Sequence, residues 1–229
     1  LDGAGFSGCT SPKSLTALKE GSHTFKVRAK DPAGNVDATP AAHTWTIDTT
    51  PPDAIITAQP ANPTNATIAE FSFTSTEDIS SFHCSLDGGN FTPCNSPRAY
   101  SDLAAGTHMI DVIATDAAGN TDPIPARYVW DIDLTPPDTA ITIYPANPTN
   151  ATTTNFSFSS SKPGSTFDCS LDSGEYAACA GPHTYSDLVQ GSHTFSVKAT
   201  DAVGNIDPSP ALYVWDIDTT PPDTTITAQ

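Results

Sequence analysis

The sequence predicts an all-β protein of tandem β-sandwich repeats, each of 85 residues and about seven short strands, arranged as a rod. Three observations carry that expectation. Trp45, Trp130 and Trp215 stand 85 residues apart, and so do Cys9, Cys94 and Cys179, Gly21, Gly106 and Gly191, and Asn35, Asn120 and Asn205. Apolar and polar residues alternate in short runs, with no sustained helical period. Turn signals fall about 8–12 residues apart, a spacing that suits a sandwich.

Pro-Pro pairs at 51–52, 136–137 and 221–222 mark the repeat boundaries. Residues 1–50 then read as the C-terminal half of a repeat, and 51–135 and 136–220 as complete repeats. Residues 221–229 read as the first strand of the next, because PPDTTITAQ nearly copies PPDAIITAQ at 51–59. The expectation is a longer array continuing on both sides.

Within 136–220 each strand has its own signal. TAITI (139–143) and NFSFSSS (155–161) are β-branched or aromatic runs. STFDCSLD (165–172) leads through Ser173-Gly174 into EYAAC (175–179), and TYSDL (184–188) follows. HTFSVKATD (193–201) places Phe195, Val197 and Ala199 on one face, and AVGN (202–205) turns the chain. ALYVWDID (211–218) closes the unit with Tyr213, Trp215 and Ile217 on one face. The shared register of Trp and Ile favours a core Trp over an exposed sugar-stacking ring.

Composition excludes several functions. Twenty-six acids against nine Lys and Arg leave a formal net charge of −17, which would repel nucleic acid. No apolar run approaches the roughly 18 residues of a membrane helix. No copy carries a nucleophile, base and orienting group that the others lack, so an enzyme is not expected. His23, His108 and His193 recur at one position, which points to a role in the fold, with the imidazole bonding a nearby carbonyl. Asn-X-Ser/Thr sites at Asn65, Asn90, Asn150 and Asn155 leave glycosylation undecided.

The run L-x-x-G-x-H-x-F-x-V-x-A-x-D-x-x-G-N-x-D at Leu188–Asp207 resembles the closing strands of bacterial immunoglobulin-like and fibronectin-III-like repeats. F-x-C-S-L-D at Phe167–Asp172 and W-x-I-D-T-T-P-P-D at Trp215–Asp223 match the same group. The resemblance covers the whole chain. It implies Ig-like sandwiches strung in tandem in large extracellular surface proteins of bacteria. It departs from antibody-type domains, since no inter-sheet cysteine pair brackets a Trp.

Cys84 and Cys94 flank one hairpin, and Cys169 and Cys179 flank its counterpart. Each pair is expected to form a local disulfide, worth roughly 2–3 kcal/mol in the chain-entropy model. A zinc site would need four ligands, more than each unit's two cysteines and a loosely placed His supply. Disulfides imply an oxidising compartment outside the cytosol. Cys9 is left without a mate, which in repeat register would lie just upstream of Leu1.

Aspartate is the dominant acid, with 22 Asp against 4 Glu. The turn Asp201-Ala-Val-Gly-Asn205-Ile-Asp207 is expected to lie at the pole where the first strand enters, near Asp131, Asp133 and Asp138 of the junction. Those six residues offer oxygen ligands for Ca²⁺. Turn chemistry accounts for the same residues, so both readings stay open.

The expected function is a non-enzymatic stalk, adhesin shaft or surface filament, with further copies of the repeat as partners and self-assembly into a fibre as one form. The alternative is a carbohydrate- or ligand-binding module appended to a secreted enzyme or anchor. It calls for an exposed aromatic platform in one copy only, and none stands out in the sequence.

Overall fold

The computed structural model describes residues 1–78 and 80–227; Ile79, Ala228 and Gln229 lie outside the described residues. The described residues form strands and turns and no helix. Two compact units divide the chain. The first comprises Leu1–Pro60, Ala69–Tyr100 and His108–Val129; the second comprises Ala61–Ile68, Ser101–Thr107 and the chain from Trp130 onward.

In the first unit, β1 (Gly21–Val27) and β2 (Ala41–Ile47) pair as an antiparallel hairpin. Strands β3 (Ala54–Ala58), β4 (Ala69–Ser75) and β7 (Arg98–Tyr100) form a three-stranded sheet in the order β3-β4-β7. Strands β5 (Ser81–Leu86), β6 (Thr92–Cys94), β8 (Gly106–Thr115) and β9 (Ala126–Ile132) form a four-stranded sheet in the order β6-β5-β8-β9. The alternation places Phe71 and Phe73 of β4 inward, toward the four-stranded sheet. Phe71 meets Tyr128 of β9 edge-on at 6.1 Å, and Phe73 meets Phe82 of β5 at 5.0 Å.

The second unit repeats the pattern. β10 (Thr139–Ile143), β11 (Thr154–Ser160) and β14 (His183–Tyr185) form the order β10-β11-β14. β12 (Thr166–Leu171), β13 (Ala177–Cys179), β15 (Gly191–Thr200) and β16 (Ala211–Ile217) form the order β13-β12-β15-β16. Phe156 of β11 stacks on Phe195 of β15 at 4.0 Å and meets Trp215 of β16 at 5.2 Å. All three are fully buried, and a buried side chain of this size contributes about 1.5–3 kcal/mol. These paired sheets are consistent with two tandem β-sandwich domains.

The copies agree in detail. Register shifts fall between Ile56 and Ala58 in one and between Ile141 and Ile143 in the other. Pro52 and Pro137 are both buried. Trp130 and Trp215 are buried in the core, whereas Trp45 in the β1–β2 hairpin is only half-buried. The expected TYSDL strand stops at Tyr185, because Asp187 takes a left-handed φ of 58° that a strand does not accommodate. Residues 221–227 form no strand; the strand expected there runs into Ala228 and Gln229, outside the described residues.

Candidate functional site: carboxylate clusters at the repeat junctions

Each copy has a five-residue turn after its longest strand, in which an Asp carboxylate organises the backbone. Asp116 Oδ1 accepts the N–H groups of Gly119 and Asn120 at 2.7 and 2.8 Å. Asp201 Oδ1 accepts those of Val203 and Asn205 at 3.1 and 2.8 Å. Gly119 and Gly204 take φ values of +95° and +94°, a region costly for a side chain, which explains the recurring glycine. The turn then presents an Asn amide to the segment that leads into each Pro-Pro pair. Asn120 Nδ2 donates to the Asp48 carbonyl at 3.1 Å and to Asp116 Oδ2 at 2.8 Å. Asn205 Nδ2 donates to the Asp133 carbonyl at 2.8 Å and to Asp201 Oδ2 at 3.0 Å.

A third segment completes each cluster. Ser75 Oγ accepts the N–H of Glu77 at 3.2 Å, and Ser160 Oγ accepts the N–H of Lys162 at 3.2 Å. Glu77 and Lys162 are 85 residues apart and occupy the same place in the same turn. Their side chains differ in sign. Lys162 Nζ donates to Asp133 Oδ2 at 2.7 Å, to Asp201 Oδ2 at 2.8 Å and to the Thr135 carbonyl. Oxygens of Asp48, Glu77 and Asp116 instead lie within 4.8 Å of one another, with Asp116 buried and the other two half-buried. Glu20 lies close by and accepts the hydroxyls of Thr49 and Thr50 at 3.0 and 2.9 Å.

The electrostatics follow the sign of that one residue. Asp133 is held below its ordinary value of 3.8 first by its bond from Lys162, and Lys162 is raised by Asp133 and then Asp201. Burial pushes Asp201 upward, but the bonds from Lys162 and Asn205 together outweigh it and hold it well below the carboxylate range. Glu77 is raised above 4.5, first by burial and then by repulsion from Asp48, Asp116 and Glu20.

The six expected ligands divide. Asp133, Asp201 and Asn205 converge, around the ammonium of Lys162. Asp207 is engaged elsewhere, accepting Thr139 N–H at 2.8 Å and Ser209 N–H at 2.8 Å. Asp131 accepts the Thr107 hydroxyl, and Asp138 donates its N–H to Ser161 Oγ at 2.8 Å. Sequence reasoning did not single out Asp48, Glu77 or Lys162. The available signal was the charge reversal between 77 and 162 at the repeat interval.

The cysteine pairs Cys84–Cys94 and Cys169–Cys179 are bonded, while Cys9 is exposed and free. The recurrent histidines bond a carbonyl through Nε2, Lys19 for His23 at 2.7 Å and Val189 for His193 at 2.8 Å. Sequence reasoning missed their second partner. Nδ1 of His23, His108 and His193 faces Asp2, Asp87 and Asp172 at 2.8 Å each. A ring that faces two acceptors favours its protonated form, and His23 and His193 are raised above 6.5, first by the carbonyl and with a further contribution from the carboxylate. One aromatic pair belongs to a single copy: Tyr144 is 55% exposed and packs on Tyr213 with ring centroids 4.4 Å apart and planes tilted by 30°, where the other copy has Gln59.

No family model and no curated protein matches the chain. Structural neighbours are bacterial fibronectin-III-like modules and tandem repeats of large adhesins. The fibronectin(III)-like modules of Clostridium thermocellum CbhA are 16% identical, with a TM-score of 0.39 over 76% of this chain and 100% of theirs. A Ca²⁺-stabilised adhesin that helps an Antarctic bacterium bind ice is 19% identical, with a TM-score of 0.41 over 86% of this chain. A tetra-tandem repeat from the extending region of a large adhesion protein is 18% identical, with a TM-score of 0.32 over 89% of this chain. The chain spans 56% and 58% of the two adhesin structures. The fold assignment rests on sheet pairing and core contacts rather than on these likenesses. No helix among the described residues is long and apolar enough to cross a membrane.

Proposed function

We propose that the chain is a non-catalytic spacer, a length of repeat array from an extracellular stalk, adhesin shaft or surface filament. In this reading 51–135 and 136–220 are its complete seven-stranded Ig-like units, 1–50 closes a preceding one, and copies succeed each other as a rod. The observation that carries it is the recurrence of one junction. Asn120 holds the Asp48 carbonyl and Asn205 holds the Asp133 carbonyl, each 72 positions earlier in the chain. The strand after each Pro-Pro pair is also tied in the same way, Ala54 N–H to Asp122 and Thr139 N–H to Asp207, both at 2.8 Å. Bonds that recur at the repeat interval suit a regular array, which a flexible tether would not need. The hairpin disulfides support an oxidising, extracellular setting.

Small-angle scattering tests the rod. A compact globule of 229 residues has a radius of gyration of about 17 Å. A spacer should give a value well above that, unchanged by dilution; a value at the compact limit would defeat the reading.

The binding-module alternative has one observation in its favour, the exposed Tyr144 packed on Tyr213. It calls for saccharide binding, measured on a glycan array, that Tyr144→Ala abolishes; no binding by the unaltered chain removes it.

A further inference from the structure

The recurrent histidines stand where a proton can act on the chain that leads into a Pro-Pro pair. His193 of β15 is buried, and both of its ring nitrogens face groups that only accept. Nδ1 meets Asp172 Oδ2 in the hairpin turn, and Nε2 meets the Val189 carbonyl in the loop before β15, at 2.8 Å each. His23 has the same pair, Asp2 Oδ2 at 2.8 Å and the Lys19 carbonyl at 2.7 Å. A neutral imidazole carries one N–H and satisfies one of the two; the imidazolium satisfies both. An indole adds to the preference for charge, Trp215 at 5.4 Å from His193 and Trp45 at 5.7 Å from His23.

The residue after each bonded carbonyl grips the segment ahead of a Pro-Pro pair. Gln190 Oε1 accepts the Thr219 hydroxyl at 2.8 Å, and Gln190 Nε2 donates to Thr220 Oγ1 at 3.0 Å. Glu20 accepts the hydroxyls of Thr49 and Thr50 at 3.0 and 2.9 Å. The loop that the histidine fixes is therefore the loop that holds residues 219–220 or 49–50.

We propose that His193 and His23 are proton-operated latches: the imidazolium fixes the loop that grips the chain ahead of each Pro-Pro pair, and loss of its proton frees that loop. The two ends of the latch differ. The Asp end is anionic and keeps the remaining N–H. It is also held without the ring, since Asp172 Oδ1 accepts the Thr194 N–H and Asp172 N–H donates to the Thr194 carbonyl, both at 2.8 Å. The carbonyl end is left facing a bare nitrogen lone pair, one acceptor against another. The loop keeps only its bond from Leu188 N–H to the Thr152 carbonyl at 3.0 Å, and the Val189 side chain is exposed. Release therefore starts at the loop and spares the hairpin turn.

The groups facing His193 are Asp172 from the hairpin, Trp215 from β16 and, beside the same carboxylate, Tyr185 from β14. Asp187 of the loop takes the Ser186 hydroxyl instead. His23 faces Asp2, which also feels the amino terminus, and Trp45, on which His43 stacks. The latch is closed below the folded value of each histidine and opens as pH rises through it; for both, that value lies above 6.5. This goes beyond the spacer reading, since a binding module could carry the same latch.

Nuclear magnetic resonance of the isotope-labelled chain of 229 residues tests the latch from about pH 6 to about pH 9. His193 should show two protonated ring nitrogens below a midpoint that lies above 6.5. Through that midpoint the protection of the Leu188 amide, corrected for intrinsic exchange, should fall about tenfold, the scale of one hydrogen bond, while Thr194 keeps its own. The Thr219 and Thr220 resonances should shift with the same midpoint. Asp172→Asn removes the anion and should lower the midpoint. His193→Gln should make Leu188 protection independent of pH over this range; if either variant fails to fold, the readouts of the unaltered chain decide alone. A midpoint at or below 6.5, Leu188 protection that does not follow it, or Thr194 released first overturns the proposal. So does a midpoint unmoved in a folded Asp172→Asn, pH-dependent protection in a folded His193→Gln, or Thr219 and Thr220 that do not respond.

Discussion

The first junction brings together Asp48, Glu77, Asp116 and Asn120; the second brings together Asp133, Lys162, Asp201 and Asn205. The Asn bonds correspond, Asn120 to the Asp48 carbonyl and Asn205 to the Asp133 carbonyl, yet one cluster gathers three carboxylates and the other closes an ion pair around an ammonium. A repeat array can therefore keep its geometry through Asn and turn Asp residues while varying the electrostatics of each joint through a single position. The geometry is set by bonds to backbone groups, which every copy has. The charge balance is set by one side chain, Glu77 or Lys162.

The largest effect should be the one the two copies share. Phe71 and Phe156 are fully buried at equivalent positions. Phe71→Ala and Phe156→Ala should each cost about 3–5 kcal/mol in denaturant unfolding, from lost burial and the cavity left behind. Costs that differ clearly between the copies would mean that the cores differ as well as the junctions.

The Asn amides come next. Asn120→Ala and Asn205→Ala each remove a bond to a carbonyl and a bond to a carboxylate, which should cost about 1–2 kcal/mol. The first should cost more, because Asn120 carries the side-chain amide donor on Asp116, whereas Asp201 also has the ammonium of Lys162. Equal costs would show that the ammonium of Lys162 does not compensate at the second junction.

The smallest effect is in pH, read by hydrogen exchange at residues 48–50 and 133–135. Glu77 is raised, so its favourable state is complete below its unfolded value of 4.5 and is lost as pH rises through the folded value. Protection at 48–50 should therefore improve on acidification from neutrality. Asp133 and Asp201 are depressed, so their contribution is present above 3.8 and is lost as pH falls through the folded values. Protection at 133–135 should hold until well below 3.8. Parallel profiles would erase the distinction between the junctions. His23 and His193 act in the opposite range, stabilising below 6.5 and losing that contribution as pH rises through their folded values.

Much of the fold was legible in the sequence for a simple reason. Strand alternation, turn glycines and hairpin cysteines act between neighbours in the chain, and the repeat prints each signal more than once. The run Phe195, Val197, Ala199 is buried as its alternation requires, and Trp130 and Trp215 lie in the core. The cysteine pairs, ten residues apart, needed only a hairpin to meet.

The candidate site was legible only in its outline. Asp133, Asp201 and Asn205 were identifiable as turn and junction residues, but nothing in their spacing shows that Lys162 reaches two of them from 29 and 39 positions away. The partnership of His193 with Asp172 was equally hidden, because it spans a hairpin and a sheet pairing. The sequence by itself determined the period, the strands and the residues that must be turns, since these follow from local backbone preference and burial. Only the tertiary structure decided which charges face each other. Coulomb interactions act over a few ångströms of space, and distance along the chain does not report them.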